Sequence, residues 1–278
     1  NFKFHGYHRR SNNFVKLYQD INELSTLPKE RCGNKGRRRN HHRRAFRNLS
    51  VNWSLEIFEK WSAKMKKFTI YLAGDSTVQS YKTPVKPITG WGQMLHTYFK
   101  ETEQKMNQDG CDWMGYGKKS ASDFDQSIIY ETDGLFIDNR AMAGRSSRSY
   151  FDEGRLDDLK KAIKSGDYLF MQFAHNDANK EKEERYVTPK QYEEYLLRYI
   201  NAAKECGAQP VLVTAIAMRD CDDTPDGKFS VSFPEYRDKM LEMGDKYDLP
   251  VLDLGKATAD YLNTVGSECS KKLFMWLD

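Results

Sequence analysis

From residue 68 onward, short apolar runs alternate with helical periods, and this alternation limits the folds open to the chain. The runs lie at 68–73, 134–138, 168–173, 210–216 and 250–253. They are brief and continuously apolar, as strands buried on both faces should be. Between them, Leu156, Leu159 and Ile163 recur at helical spacing. Tyr192, Leu196, Tyr199 and Ala203 mark a second helix, ended by Gly207 and Pro210, and a third runs from about 234 to 247. Strand–helix alternation predicts an α/β fold whose parallel sheet is covered on both faces. The polar stretch 101–133 interrupts the pattern and reads as a surface insertion.

The charge splits at the start of this pattern. Residues 1–64 hold 15 Lys and Arg against 5 Asp and Glu, whereas residues 65–278 hold 29 against 35. The net charge of +4 therefore sums two unlike pieces. The first contains the dense run Arg37 to Arg44, and one short helical period with Leu55, Phe58 and Trp61. The first methionine is Met65, directly ahead of the first strand. We read 1–64 as a basic, poorly ordered extension and 65–278 as the functional domain. A basic run also suits a nucleic-acid-binding arm, but a solvated tail is the simpler reading, and nucleic acid is not expected as a partner.

No run reaches the roughly 18 apolar residues of a membrane span, and no apolar segment follows the basic N-terminus as a secretory signal requires. The five cysteines (Cys32, Cys111, Cys206, Cys221 and Cys269) are widely spaced and form no Cys-x-x-Cys. Reduced thiols and a cytoplasmic location are the expectation.

In open parallel sheets, functional groups gather at the carboxyl ends of strands. The first strand is followed by Gly74-Asp75-Ser76-Thr77, the second by Asn139 to Ser149, and the third by Ala174-His175-Asn176-Asp177. Ser76 suits a nucleophile with its own N–H facing an oxyanion, although Asp75 or Ser76 could equally cap the next helix. Gly144 lets its N–H approach a substrate closely, and Asn176 offers a side-chain amide; an ordinary turn explains either one alone. Together the three describe a nucleophile with three oxyanion donors.

Four ordered blocks carry a resemblance to a known family. Gly74-Asp75-Ser76-Thr77-Val78, Gly90-Trp91-Gly92-Gln93, Asn139-x-Ala141-x-x-Gly144-Arg145-Ser146 and His175-Asn176-Asp177 resemble the SGNH (GDSL) hydrolases, and within them the rhamnogalacturonan acetylesterase group. The resemblance implies a flavodoxin-like three-layer α/β/α sandwich with a central parallel sheet. It implies a serine esterase that removes acetyl groups from pectin-derived saccharides without metal or organic cofactor. Ser76 is then the implied nucleophile, with Gly144 and Asn176 completing the oxyanion hole. Trp91 could stack on a sugar, or hold the loop near Ser76 as a packed aromatic. Arg145 and Arg148 could meet a uronate carboxylate, with a surface ion pair the plainer reading of Arg148. Ala174 replaces the family's usual glycine, a change expected to be tolerated.

One block is missing. The family's Asp-x-x-His, which supplies the base, occurs nowhere in the chain. His5, His8, His41 and His42 lie in the basic extension, His96 follows Gly90, and His175 belongs to the third block, where a structural role is expected. The expectation is a C-terminally incomplete domain whose catalytic Asp and His lie beyond residue 278, with little activity in this stretch. Without an imidazole, a serine is a weak nucleophile. A lipase-like SGNH hydrolase and a catalytically dead carbohydrate-binding homologue are the alternatives. No Gly-x-Ser-x-Gly, Walker A or dinucleotide loop competes.

Overall fold

The computed structural model describes residues 68–81, 89–96, 118–121, 124, 127–132, 135–224 and 226–274. The basic extension 1–64, Met65 and all of 101–117 lie outside them. Among the described residues, one sheet is built from β1 (Phe68–Gly74), β2 (Lys118–Ala121), β3 (Ile128–Thr132), β4 (Leu135–Asn139), β5 (Tyr168–Gln172), β6 (Gln209–Val213) and β7 (Val251–Leu252). Their order is β2-β3-β4-β1-β5-β6-β7. Strands β4, β1, β5, β6 and β7 are parallel, as the apolar runs predict.

The sheet is nevertheless mixed. Strand β2 pairs antiparallel with β3, and β3 pairs antiparallel with β4. Part of the stretch read as a surface insertion therefore extends the sheet instead. The physical reason is position. A strand near an antiparallel edge need not be apolar on both faces. Strand β3 still anchors its buried face with Tyr130, which is fully enclosed.

Successive residues of each parallel strand point to opposite faces. Tyr71 and Ala73 of β1, with Leu169 and Met171 of β5, enter one core, and Ile70, Leu72 and Phe170 enter the other. The second core is closed by α1 (Trp91–Met94), by Leu95 just after it, and by Leu254. The first is covered by α2 (Ser147–Asp152), α3 (Arg155–Ala162), α4 (Pro189–Glu205) and α5 (Pro234–Tyr247). Helix α4 starts where its sequence says it should. Thr188 and Gln191 form a reciprocal capping box, and Pro189 takes the first turn, where its missing N–H costs nothing. Helix α6 (Leu254–Val265) begins at Asp253, whose side chain accepts from Lys256 N–H, and the short α7 (Ser267–Ser270) follows it.

The path of the chain decides where a ligand can enter. It begins at central β1, builds β3 and β4 on one side, then crosses to β5 and continues outward through β6 and β7. The carboxyl ends of β4, β1 and β5 therefore adjoin where the direction of winding reverses. In such sheets the crevice forms at this point.

The cysteines correct one expectation. Cys206 and Cys221 are free, but Cys269 is disulfide-bonded, so the thiols are not all reduced. Linear spacing cannot reveal such a bond, because pairing depends on close approach in space.

Leu72 is fully enclosed at the middle of β1. Leu72→Ala should lower unfolding free energy by about 2–5 kcal/mol, measured as a shift in the denaturation midpoint without a change in slope.

Candidate active site

Three segments leave the adjoining strand ends and are bound to one another. After β1, Gly74 passes directly into Asp75 and Ser76. A Cβ on Gly74 would lie 2.7 Å from both Gln172 O and Val78 Cγ2, so any side chain here would force the strand ends apart. Asp75 is fully buried. Its Oδ1 accepts from Thr77 N–H at 2.9 Å and Thr77 Oγ1 at 2.7 Å, closing an Asx turn around Ser76. Neither residue caps a helix: the next helix among the described residues starts at Trp91 behind Gly90, with no side-chain cap, and Asp75 closes a turn instead. Ser76 is only partly buried, and its carbonyl accepts from Tyr81 Oη at 3.0 Å.

The segment after β4 is tied to the first. Met142 N–H donates to Gly74 O at 2.9 Å, and Ala143 N–H donates to Gln79 Oε1 at 2.5 Å. Gly144 follows with φ +76, the left-handed region that glycine enters without strain. The segment after β5 closes the group. Asn176 Nδ2 donates to Arg145 O at 3.0 Å, and His175 Nδ1 lies 3.3 Å from Asp75 Oδ2. Asp177 accepts from Ser147 N–H at 2.8 Å, from Ser147 Oγ at 2.5 Å and from Ala174 N–H at 3.1 Å. Ser76, Gly144 and Asn176 therefore stand on three loops joined by these bonds. The backbone amides of Ser76 and Gly144 donate to no acceptor among the described residues, and Asn176 Nδ2 keeps one hydrogen beyond its bond to Arg145 O.

Trp91 is half-buried, and its Nε1 donates to Gln172 Oε1 at 2.6 Å. Gln172 Nε2 passes the link on to Thr77 Oγ1 at 2.6 Å. The indole thus braces the Ser76 turn. Arg145 Nε bridges both oxygens of Glu153 at 2.9 and 3.0 Å, and its Nη1 donates to Ala143 O at 2.9 Å. Arg148 pairs with Asp152 at 3.4 Å, the helix-surface pair expected of it. His96 is buried and stacks on Tyr130, with centroids 4.4 Å apart. Among the described residues, no group of three or more His, Cys, Asp or Glu side chains could hold a metal ion.

Four contributors were not foreseen from the residues alone. Gln79 and Gln172 are single polar residues beside motifs that drew attention elsewhere. The approach of His175 to Asp75 joins residues a hundred positions apart. Arg185 lies eight residues past Asp177 in a loop with no motif, and its Nη1 reaches Asn176 Oδ1 at 3.5 Å.

A family model described as GDSL-like lipase/acylhydrolase matches residues 70–273, which include all three loops. The chain belongs to this family. Among its GDSL relatives, a rhamnogalacturonan acetylesterase of Bacillus subtilis is 31% identical over 76% of this chain and 75% of its own. A probable rhamnogalacturonan acetylesterase of the same organism is 33% identical over 74% of this chain and 79% of its own. The crystal structure of the B. subtilis protein YxiM superposes with a TM-score of 0.59 at 25% identity, covering 76% of this chain and 50% of that one. The GDSL fold, with its sheet flanked by helices, is thus the one that the strand pattern and the four blocks imply.

Ala174 modifies the expectation made for it. The residue adopts φ +128, in the left-handed half of the map that a Cβ disfavours. The departure from glycine therefore acts through backbone strain just ahead of His175 rather than through crowding by a methyl. Ala174→Gly should raise stability by about 1 kcal/mol, the release of strain outweighing the added freedom of the unfolded chain, seen as a higher Tm in calorimetry.

Asp177 supplies a pH-dependent term. Burial pushes its carboxyl up to about 7, the charge of Asp75 adds to the rise, and the bonds from Ser147 and Ala174 oppose it. The native state then binds a proton between about pH 4 and 7 that the unfolded chain releases, so the group's stabilising contribution is complete below that window and lost as pH rises through it. The fall in Tm between about pH 5 and 8 should be shallower in Asp177→Asn, which cannot ionise; an equal slope would place the titration elsewhere.

Proposed function

We propose that this chain is a serine carbohydrate esterase that removes O-acetyl groups from rhamnogalacturonan-type saccharides. The observation that carries the reading is the set of uncommitted donors at the strand ends: Ser76 N–H, Gly144 N–H and the remaining Asn176 amide hydrogen. All three groups are half-buried, so their free hydrogens are open to a ligand or to water. Membership of the GDSL family and the names of the two B. subtilis relatives support acetyl ester hydrolysis.

In this reading Ser76 Oγ attacks the acetyl carbonyl carbon, and the carbonyl oxygen takes the developing negative charge between the three donors. The C–O bond to the sugar breaks, and the sugar oxygen leaves with a proton. Water then attacks the acetyl-Ser76 carbonyl and releases acetate, restoring the hydroxyl. The base that accepts the Ser76 proton is not assigned among residues 1–278, since Asp-x-x-His is absent from them. His175 Nδ1 faces Asp75 within the loop network, which suits a structural role. Trp91 and Arg145 would flank the saccharide. The indole would offer its face, because its N–H is engaged by Gln172. The guanidinium would offer Nη2, because Nε and Nη1 are held by Glu153 and Ala143.

The test is acetate release by the full-length protein from acetylated rhamnogalacturonan oligosaccharides, beside a neutral aryl acetate and a long-chain ester. Ser76→Ala should lower kcat by more than about a thousandfold, and Asn176→Ala by roughly 10²–10³. Hydrolysis that survives in Ser76→Ala would overturn the mechanism. Faster turnover of the long-chain ester would move the substrate to lipids, and tight saccharide binding without turnover would point to a binding protein.

A further inference from the structure

The Asn176 amide is held in one orientation from both ends. Its Nδ2 donates to Arg145 O at 3.0 Å, and its Oδ1 accepts from Arg185 Nη1 at 3.5 Å. Turning the amide over would set Oδ1 against the Arg145 carbonyl and the NH2 group against a guanidinium, two acceptors and two donors face to face. The same guanidinium lies over Gly144: a Cβ there would stand 3.2 Å from Nη1 and 3.6 Å from Cζ. One cation thus stands beside both outer members of the proposed oxyanion hole.

Arg185 is delivered there by a pinned loop. Its own N–H donates to Lys182 O at 2.9 Å, and Val187 N–H returns to Asp177 O at 3.0 Å. Tyr236 Oη donates to Val187 O at 2.6 Å, and Arg148 Nη1 donates to Glu183 O at 3.3 Å. The only carboxylate paired with Arg185 among the described residues is Glu184, at 3.4 Å and largely exposed. Such a contact competes weakly for the guanidinium.

We infer that Arg185 is a positioning residue of the oxyanion hole: by donating to Asn176 Oδ1 it keeps Nδ2 turned toward the reacting carbonyl. The inference rests on the proposed role of Asn176, and it adds a residue that belongs to none of the four sequence blocks. A substrate-carboxylate clamp is the rival role for an arginine at this rim, and the two differ in what they do to a neutral ester.

The test uses Arg185→Met, which keeps most of the aliphatic stem and removes the donors, with circular dichroism and Tm to confirm folding. On p-nitrophenyl acetate, kcat should fall by about tenfold or more with KM nearly unchanged, a smaller loss than removing the donor itself. In an Asn176→Ala background the same change should cost less than about twofold, because a residue acting through Asn176 has nothing left to position. Equal losses in both backgrounds, or a rise in KM confined to uronate-containing substrates, would overturn the inference. A second measurement does not depend on turnover. In ¹⁵N spectra the Asn176 side-chain NH2 pair, assigned by its disappearance in Asn176→Ala, should shift and exchange faster with water in Arg185→Met. An unchanged pair would also overturn it. Failure of Ser76→Ala to abolish hydrolysis would instead count against the esterase mechanism and leave the amide measurement to decide Arg185.

Discussion

Two buried carboxylates, Asp75 and Asp177, anchor the loops that make up the candidate site. Where β1, β4 and β5 end, their backbone amides leave the sheet ladder and need new acceptors. Asp75 takes the amide and hydroxyl of Thr77. Asp177 takes the amides of Ser147 and Ala174 and the Ser147 hydroxyl. Each is fully enclosed, so these bonds form in a low-dielectric setting where they are strong and where losing one partner is costly. Burial also pushes the Asp177 carboxyl up to about 7.

This arrangement ties the candidate site to a rigid sheet. The Ser76 turn is gripped from three sides: by Asp75 beneath it, by Gln172 through Thr77, and by Trp91 through Gln172. Gly144 and Ala174 occupy left-handed conformations beside it, one at no steric cost and one under strain. The Ala174 conformation is held by its N–H bond to the buried Asp177. Arg185 extends the same logic to a side chain, since it and the Arg145 carbonyl leave the Asn176 amide one workable orientation.

How much of this could be read in advance follows from the range of each interaction. The parallel strands were legible because burial on both faces forces continuous apolar runs, and β1, β5 and α4 lie close to where their patterns place them. Strands β2 and β3 were not legible, because an antiparallel edge relaxes that demand and leaves a polar sequence. The Ser76, Gly144 and Asn176 loops were legible because each sits within a few residues of a strand end. The tie of Trp91 to Gln172 spans 81 positions, and the bond from Arg185 to Asn176 depends on how an irregular loop folds back. Neither leaves a periodic or spaced signal.

The sequence by itself determined the strand–helix alternation, the three polar strand ends and membership of the GDSL family, because these rest on local periodicity and short contiguous blocks. Tertiary structure alone decided that β4, β1 and β5 adjoin at the reversal of the sheet, that Asp75 closes a turn where no helix starts, that Cys269 is disulfide-bonded, and that Arg185 reaches Asn176. These are contacts between residues distant in the chain. Their partners are chosen by packing and by the need of buried polar groups for acceptors, which the order of residues does not display.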